Sequence, residues 1–211
     1  MAISVNEIVE TAAGILQDVG SVRYSTADLI DYINLGQRRT CQMKPEAYCE
    51  TVTVTVANGA KQSTPPGATR LLDVYRNAKD DGTVGRSIRL IERAVLDRED
   101  PDWQRRTASQ IEHYCYEPEN DPVTYWVFPV ISPNRISSAR LDISVAKDPT
   151  DVIAGQVPVI DQVYHEALIH YVVATAISRD SEFGDQMNRA QFHAQAFATG
   201  IGVRNPKNVA L

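Results

Sequence analysis

The apolar residues of this chain change their spacing twice, and the two changes divide it into three stretches. Over residues 4–19, Val5, Ile8, Val9, Ala12, Ile15, Leu16 and Val19 recur at the steps of three and four that line one face of a helix. Over residues 51–57 the sequence reads TVTVTVA, so valines fall on one side of a strand and threonines on the other. Over residues 160–177 the helical spacing returns in Val163, Ala167, Leu168, Tyr171 and Val172, with the small-residue-rich run 174–177 widening the apolar face. Periods of 3.6 and 2 cannot share one element, so helices are expected at both ends and strands between them.

Local signals sharpen that outline. Ser4 with Glu7 forms a capping-box pattern and Gly20 is the expected stop; Ser25 with Asp28 opens a second helix through Leu29, Ile30, Tyr32, Ile33 and Leu35, which Pro45 ends. Arg38 and Arg39 fall near the end of that helix, where cations complement its dipole. Asn58–Gly59 and residues 80–82 read as turns, 70–77 and 87–91 as strands, and the charged run 92–110 as a short helix followed by a loop. Residues 110–116 and 123–129 read as a hairpin around EPENDP, with Trp126 and Phe128 anchoring one face, and 139–146 as another strand. A final helix is expected over 182–197. The resulting expectation is an α+β fold: an antiparallel helical bundle formed by N- and C-terminal helix pairs (about 4–44 and 158–198), a small antiparallel β module inserted over about 50–147, and an extended C-terminal tail at 199–211. Residues 1–198 would form a single domain.

Composition narrows the function. Of 211 residues, 43% are hydrophobic, enough for one sizeable core or for two small ones that share an interface, and 21 Lys+Arg against 27 Asp+Glu give a formal charge of -6, which disfavours a broad basic surface for nucleic acid. Any DNA contact is expected to be local. Cys41, Cys49 and Cys115 fit no disulfide framework. MAISVNEIVE carries acids where a signal peptide carries cations, and no run approaches the roughly 20 apolar residues of a membrane span, so a soluble chain is expected.

The motifs that suggest chemistry fail on spacing. In HEALIH, His165 and His170 are five residues apart, about 140° around a helix at ~3.6 residues per turn, whereas a zinc pair needs four. GTVG at 82–85 lacks the lysine and hydroxyl of a phosphate loop, and DREDPD at 97–102 lacks an EF-hand spacing. No serine lies in a nucleophile elbow and no cysteine has a local activating partner, so no catalytic, cofactor-binding or metal residue is expected. A helix-turn-helix DNA binder built on the first two helices stays open, although its second helix carries more apolar residues than a base reader needs. So does a small virion-associated cell-wall hydrolase, on the abundance of Asp and Glu alone.

STADLIDYINLGQRR, the TVTVTV strand, TRLLDVYRN, YWVFPVIS, RLDISVAKDP and VYHEALIHYVVATAISRD follow one another in this order. Together they resemble the head-to-tail adaptor proteins of tailed bacteriophages, most nearly the tail tubular protein A-like group of short-tailed phages. The resemblance spans about 4–197. It implies a non-enzymatic structural protein of the virion, without cofactor, placed at the capsid-tail junction after assembly in the host cytoplasm. Its implied partners are the portal protein, a tail or nozzle protein, and further copies of itself in a ring, commonly twelve-fold, through which DNA passes without specific binding. It also implies a C-terminal segment that reaches the portal, for which Ile201, Val203, Arg204, Asn205, Pro206 and Lys207 are the candidates. Arg38, Arg39, Arg86, Arg89, Arg105 and Arg106 are candidates for the channel or the subunit interface, where mixed charge over 86–106 would supply complementarity.

Overall fold

Ser4 starts helix α1 (Val5–Leu16) with reciprocal bonds, its hydroxyl accepting from the Glu7 N–H and its own N–H donating to the Glu7 carboxylate at 2.8 Å. The helix stops before Gly20, because Gln17 takes the left-handed conformation at φ 59°. The Asp18 carboxylate then accepts the N–H groups of Val22, Arg23 and Tyr24 and steers the chain into α2 (Thr26–Met43), which Ser25 caps. The computed structural model describes residues 2–79, 83–180 and 184–202. The turn expected at 80–82 and the start of the helix expected at 182 lie outside them.

After α2 come β1 (Cys49–Thr55), β2 (Lys61–Ser63), β3 (Ala68–Ala78), β4 (Val84–Ser87), β5 (Arg89–Leu90) and helix α3 (Arg93–Glu99). There follow β6 (Thr107–Ala108), β7 (His113–Tyr116), β8 (Thr124–Phe128), β9 (Val130–Ile131), β10 (Arg140–Lys147), and helices α4 (His165–Asp180) and α5 (Gly184–Gly200). The chain divides into two compact units, one of Met1–Tyr48 with Pro149–Leu211 and one of Cys49–Asp148.

This corrects the expected fold. The described residues carry five helices and ten strands in three sheets, so the strands are not a small insertion in a helical bundle but the larger share of the α+β elements. Nor is the pairing antiparallel throughout, since β5 runs parallel to β7 and β6 to β9. β5 falls within the strand expected at 87–91, but its parallel pairing leaves no local mark, and β6 and β9 are two residues long, too short to show an alternation. The tail expected to be extended from residue 199 is helical through Gly200, and Ile201 is buried against Phe197, Tyr171 and Ala167.

In the β-rich unit one sheet has the order β1-β10-β3-β4 and another β2-β8-β7-β5. Alternation sorts the faces. Thr53, Asp142, Arg76 and Ser87 stand in register across the first sheet, and the Asp142 carboxylate accepts from Thr53 Oγ1 and Arg76 Nε, both at 2.7 Å. Ile143 and Val74 share the next row and face the core, where Leu71, Leu141 and Val145 meet Tyr114, Tyr125 and Val127 of the second sheet. The Asn58–Gly59 turn hands the chain from the first sheet to the second, and the Gln62 amide braces it by bonding Ala57 and Gly59 carbonyls. Asn77 links β3 to the strand pairs beyond it: its amide accepts from Ile111 N–H at 2.9 Å and donates to the carbonyls of Ile111 and Arg86.

In the helical unit, Val5, Ile8 and Ala12 of α1, Leu29 and Ile33 of α2, and Leu168, Val172, Val173 and Ala176 of α4 form one core. At Gly36 the α2 backbone comes so close to α4 that an added Cβ would stand 2.9 Å from Tyr171 Cδ1. Asn34 and Gln37, buried on α2, bond the backbone of Val152 and Val159 and fix the segment that leads into α4.

Candidate functional site

The two histidines of α4 leave the helix in different directions, as their five-residue spacing dictates. His165 is buried; its Nε2 donates to Ile160 carbonyl at 3.0 Å and its Nδ1 accepts the Ile3 N–H. His170 instead meets His193 of α5, Nδ1 to Nδ1 at 2.9 Å, a contact in which one ring supplies the proton and the other the lone pair. Burial, then the neighbouring His170 and Arg189 charges, hold His193 below the usual histidine range. No cluster of three or more His, Cys, Asp or Glu side chains placed to hold a metal occurs among the described residues.

Beside this pair lies a groove of about 520 Å³ between α4 and α5, lined by Val163, Glu166, His170, Phe192, Gln195 and Thr199 among others. Phe192 is 64% exposed and Val163 67%, so the groove presents two apolar side chains to solvent with one carboxylate at its edge. It offers apolar contact and a single anionic partner, and no nucleophile paired with a base. Burial pushes the Cys115 thiol up to about 11, so this cysteine is no thiolate nucleophile either.

The candidate arginines fall into separate places. Arg38 pairs with Asp151, and Arg39 reaches the side-chain amide oxygen of Gln42 at 3.5 Å. Both sit a turn before the end of α2, whose last turn holds no basic residue, so the helix dipole does not account for them. In the β-rich unit Arg86 bonds Glu112 at 2.8 Å and Arg106 bonds Asp100 at 2.8 Å, while Arg89 and Arg105 are exposed without an ion pair among the described residues. Arg86 and Arg89 lie on successive strands, and Arg105 and Arg106 follow the buried Trp103. Of the tail candidates, Ile201 is buried, and Val203, Arg204, Asn205, Pro206 and Lys207 lie outside the described residues.

Three features escaped the sequence. Trp103, hidden in a charged run, is fully buried and donates from Nε1 to Asp97 at 2.7 Å; Trp126 and Phe128, expected as the anchors, are half-buried beside it. The His170–His193 contact joins residues from two helices, which no local spacing signals. The amides of Asn34 and Gln37, the polar groups that a base-reading α2 would show, point inward to backbone partners.

Residues 3–210 match the model of a family described as SU10 adaptor protein. No curated protein matches the chain.

Proposed function

The chain belongs to the SU10 adaptor protein family and is a phage structural adaptor of the virion, and we propose that it assembles as a ring beneath the portal and joins the capsid vertex to the tail. The observation that carries this reading is the family match over residues 3–210, which takes in both compact units. Within the family we place it with the head-to-tail adaptors of the tail tubular protein A-like group, on the order of its segments. The ring, twelve-fold in this reading, contacts portal on one side and a tail or nozzle protein on the other, and DNA passes through it.

Charge supports passage over gripping. A ring lined by cations would release counterions and hold the duplex; a chain with 21 basic and 27 acidic side chains, several of its arginines already paired with carboxylates, has little surplus for that. In this reading Arg38, Arg39, Arg86, Arg89, Arg105 and Arg106 serve contacts between subunits or the channel wall. Residues Val203, Arg204, Asn205, Pro206 and Lys207 reach the portal, and the buried Ile201 anchors the root of that segment on α4 and α5.

Mixing the purified chain with the portal protein of the same virion and imaging the product in negative stain tests the proposal. Portal rings that acquire an added tier are expected. Portal left bare at saturating concentrations of folded chain contradicts it.

A further inference from the structure

A recess of about 340 Å³ opens at the far end of β3; Ala78, Ile131 and Ala139 line it, and Lys79 and Arg135 stand on its rim with Ser109, Gln110 and Ser138. Both cations are exposed, and neither side chain has an ion-pair partner among the described residues. That sets them apart from Arg38, Arg76, Arg86, Arg93 and Arg106, each of which meets a carboxylate. The described lining contains no acid; Asp80 and Asp81, which follow Lys79 in sequence, lie outside the described residues. The Asn77 amide at the recess is already consumed by Arg86 and Ile111, and the Ser138 hydroxyl donates to the Arg135 carbonyl, so the charged groups the recess offers a ligand are its two cations.

The turn at the opposite end of the same strand holds three acids, Glu117, Glu119 and Asp121, beside the strand's own Arg70 and, on β2, Lys61. Leu71 N–H donates to Pro122 carbonyl at 2.9 Å, which ties the turn EPENDP between β7 and β8 to the start of β3. Of its acids, Glu117 accepts from Asn120, and the Thr124 hydroxyl and then the Val123 N–H hold the Asp121 carboxyl below the usual range. Glu119, at the tip, is exposed and has no partner among the described residues. From Leu71 to Ala78 is seven residues of β3, about 23 Å at ~3.3 Å per residue, so the acidic turn cannot reach the recess of its own copy.

We propose that the acidic turn of one copy, led by Glu119, enters the Lys79–Arg135 recess of the next. Two different surfaces at opposite ends of one module make a head-to-tail contact, which repeats around an axis until the ring closes. Opposite charges on the two surfaces fix register and speed encounter more than they add affinity. Such a contact weakens as salt rises, because all three groups are solvent-exposed. This inference rests on the ring reading above and names the residues through which neighbouring copies meet.

Full-length Glu119→Lys, Lys79→Glu/Arg135→Glu and the combined triple variant test it, each checked for an unchanged thermal midpoint and then assembled on portal beside the unaltered chain. Either reversal alone is expected to raise the protein concentration needed for ring formation by about tenfold or more, and the triple variant to return it to within about threefold of the unaltered chain. Rings that form equally well with each reversal overturn the contact and leave the ring reading standing. An unaltered chain that never assembles on portal removes the ring reading first and the contact with it. Assembly that halts at a dimer overturns the head-to-tail geometry. A short DNA duplex bound at low salt by the unaltered chain and lost in Lys79→Glu/Arg135→Glu would make the recess a phosphate site instead and overturn the proposal.

Discussion

Asn34 and Val152, 118 residues apart in the chain, exchange two hydrogen bonds: the Asn34 amide donates to Val152 carbonyl at 3.1 Å and accepts the Val152 N–H at 2.8 Å. Gln37 extends the latch, accepting from Val159 N–H at 2.7 Å and donating to the Asn34 amide oxygen. Removing the Asn34 side chain strands two buried backbone groups, each worth about 1–3 kcal/mol. Asn34→Ala is expected to lower stability by about 2–4 kcal/mol, read as a fall in the urea midpoint with an unchanged slope. Asn34→Asp keeps the acceptor but turns a buried carboxylate oxygen toward the Val152 carbonyl, and should be no more stable than Asn34→Ala.

Ile33 is fully buried among Leu29, Leu168 and Val172. Ile33→Asp places an unpaired carboxylate in that core and is expected to abolish folding, whereas Ile33→Val should cost only about 0.5–1.5 kcal/mol. Circular dichroism and gel filtration of the two variants check this; a folded, soluble Ile33→Asp protein contradicts the packing described.

Two helix glycines should respond in opposite directions. A Cβ at Gly14 meets nothing within 4 Å, so Gly14→Ala is expected to stabilise α1 by up to about 1 kcal/mol through reduced backbone entropy of the unfolded chain. A Cβ at Gly36 would stand 2.9 Å from Tyr171 and 3.0 Å from Leu168, so Gly36→Ala should lose about 1–3 kcal/mol from overpacking, partly offset by propensity. Thermal midpoints measured under one buffer compare them.

The His170–His193 contact predicts an acid-sensitive stability. His193 is held below its usual value, first by burial, so below the unfolded-state value of about 6.5 the unfolded chain binds more protons than the folded one. This contribution is fully present above about pH 6.5 and is lost as pH falls from there through the lower folded value. A steeper decline in thermal midpoint below pH 6.5 is expected for the unaltered chain than for His193→Gln. Parallel curves for the two would contradict it.

What could be read in advance follows the range of the forces involved. The cap of α1 depends on Ser4 and Glu7 alone, and the cap of α2 on Ser25, so both starts were legible. The hairpin of β7 and β8 was legible because its alternation runs into a polar turn. The Asn34 latch was not, since its partner lies 118 residues on and polar side chains on a helix read as solvated. Trp103 was missed because Asp97, Arg98, Asp100 and Asp102 around it made the run look like surface, although Asp97 is what receives its indole N–H. Phe192 shows the converse: its apolar character does not tell whether it fills a core or, as here, lies exposed beside a groove. The candidate arginines were found as residue types, but which carboxylates they meet is decided by tertiary packing.

The ring proposed for this adaptor would stand between portal and tail. Imaging the portal vertex of intact particles by electron cryomicroscopy, with the chain carrying a density label at its N-terminus, tests it most directly. A closed ring of labelled copies directly beneath the portal, coaxial with the DNA, is the predicted result. Label found away from the vertex, or at the vertex without rotational order, would contradict it.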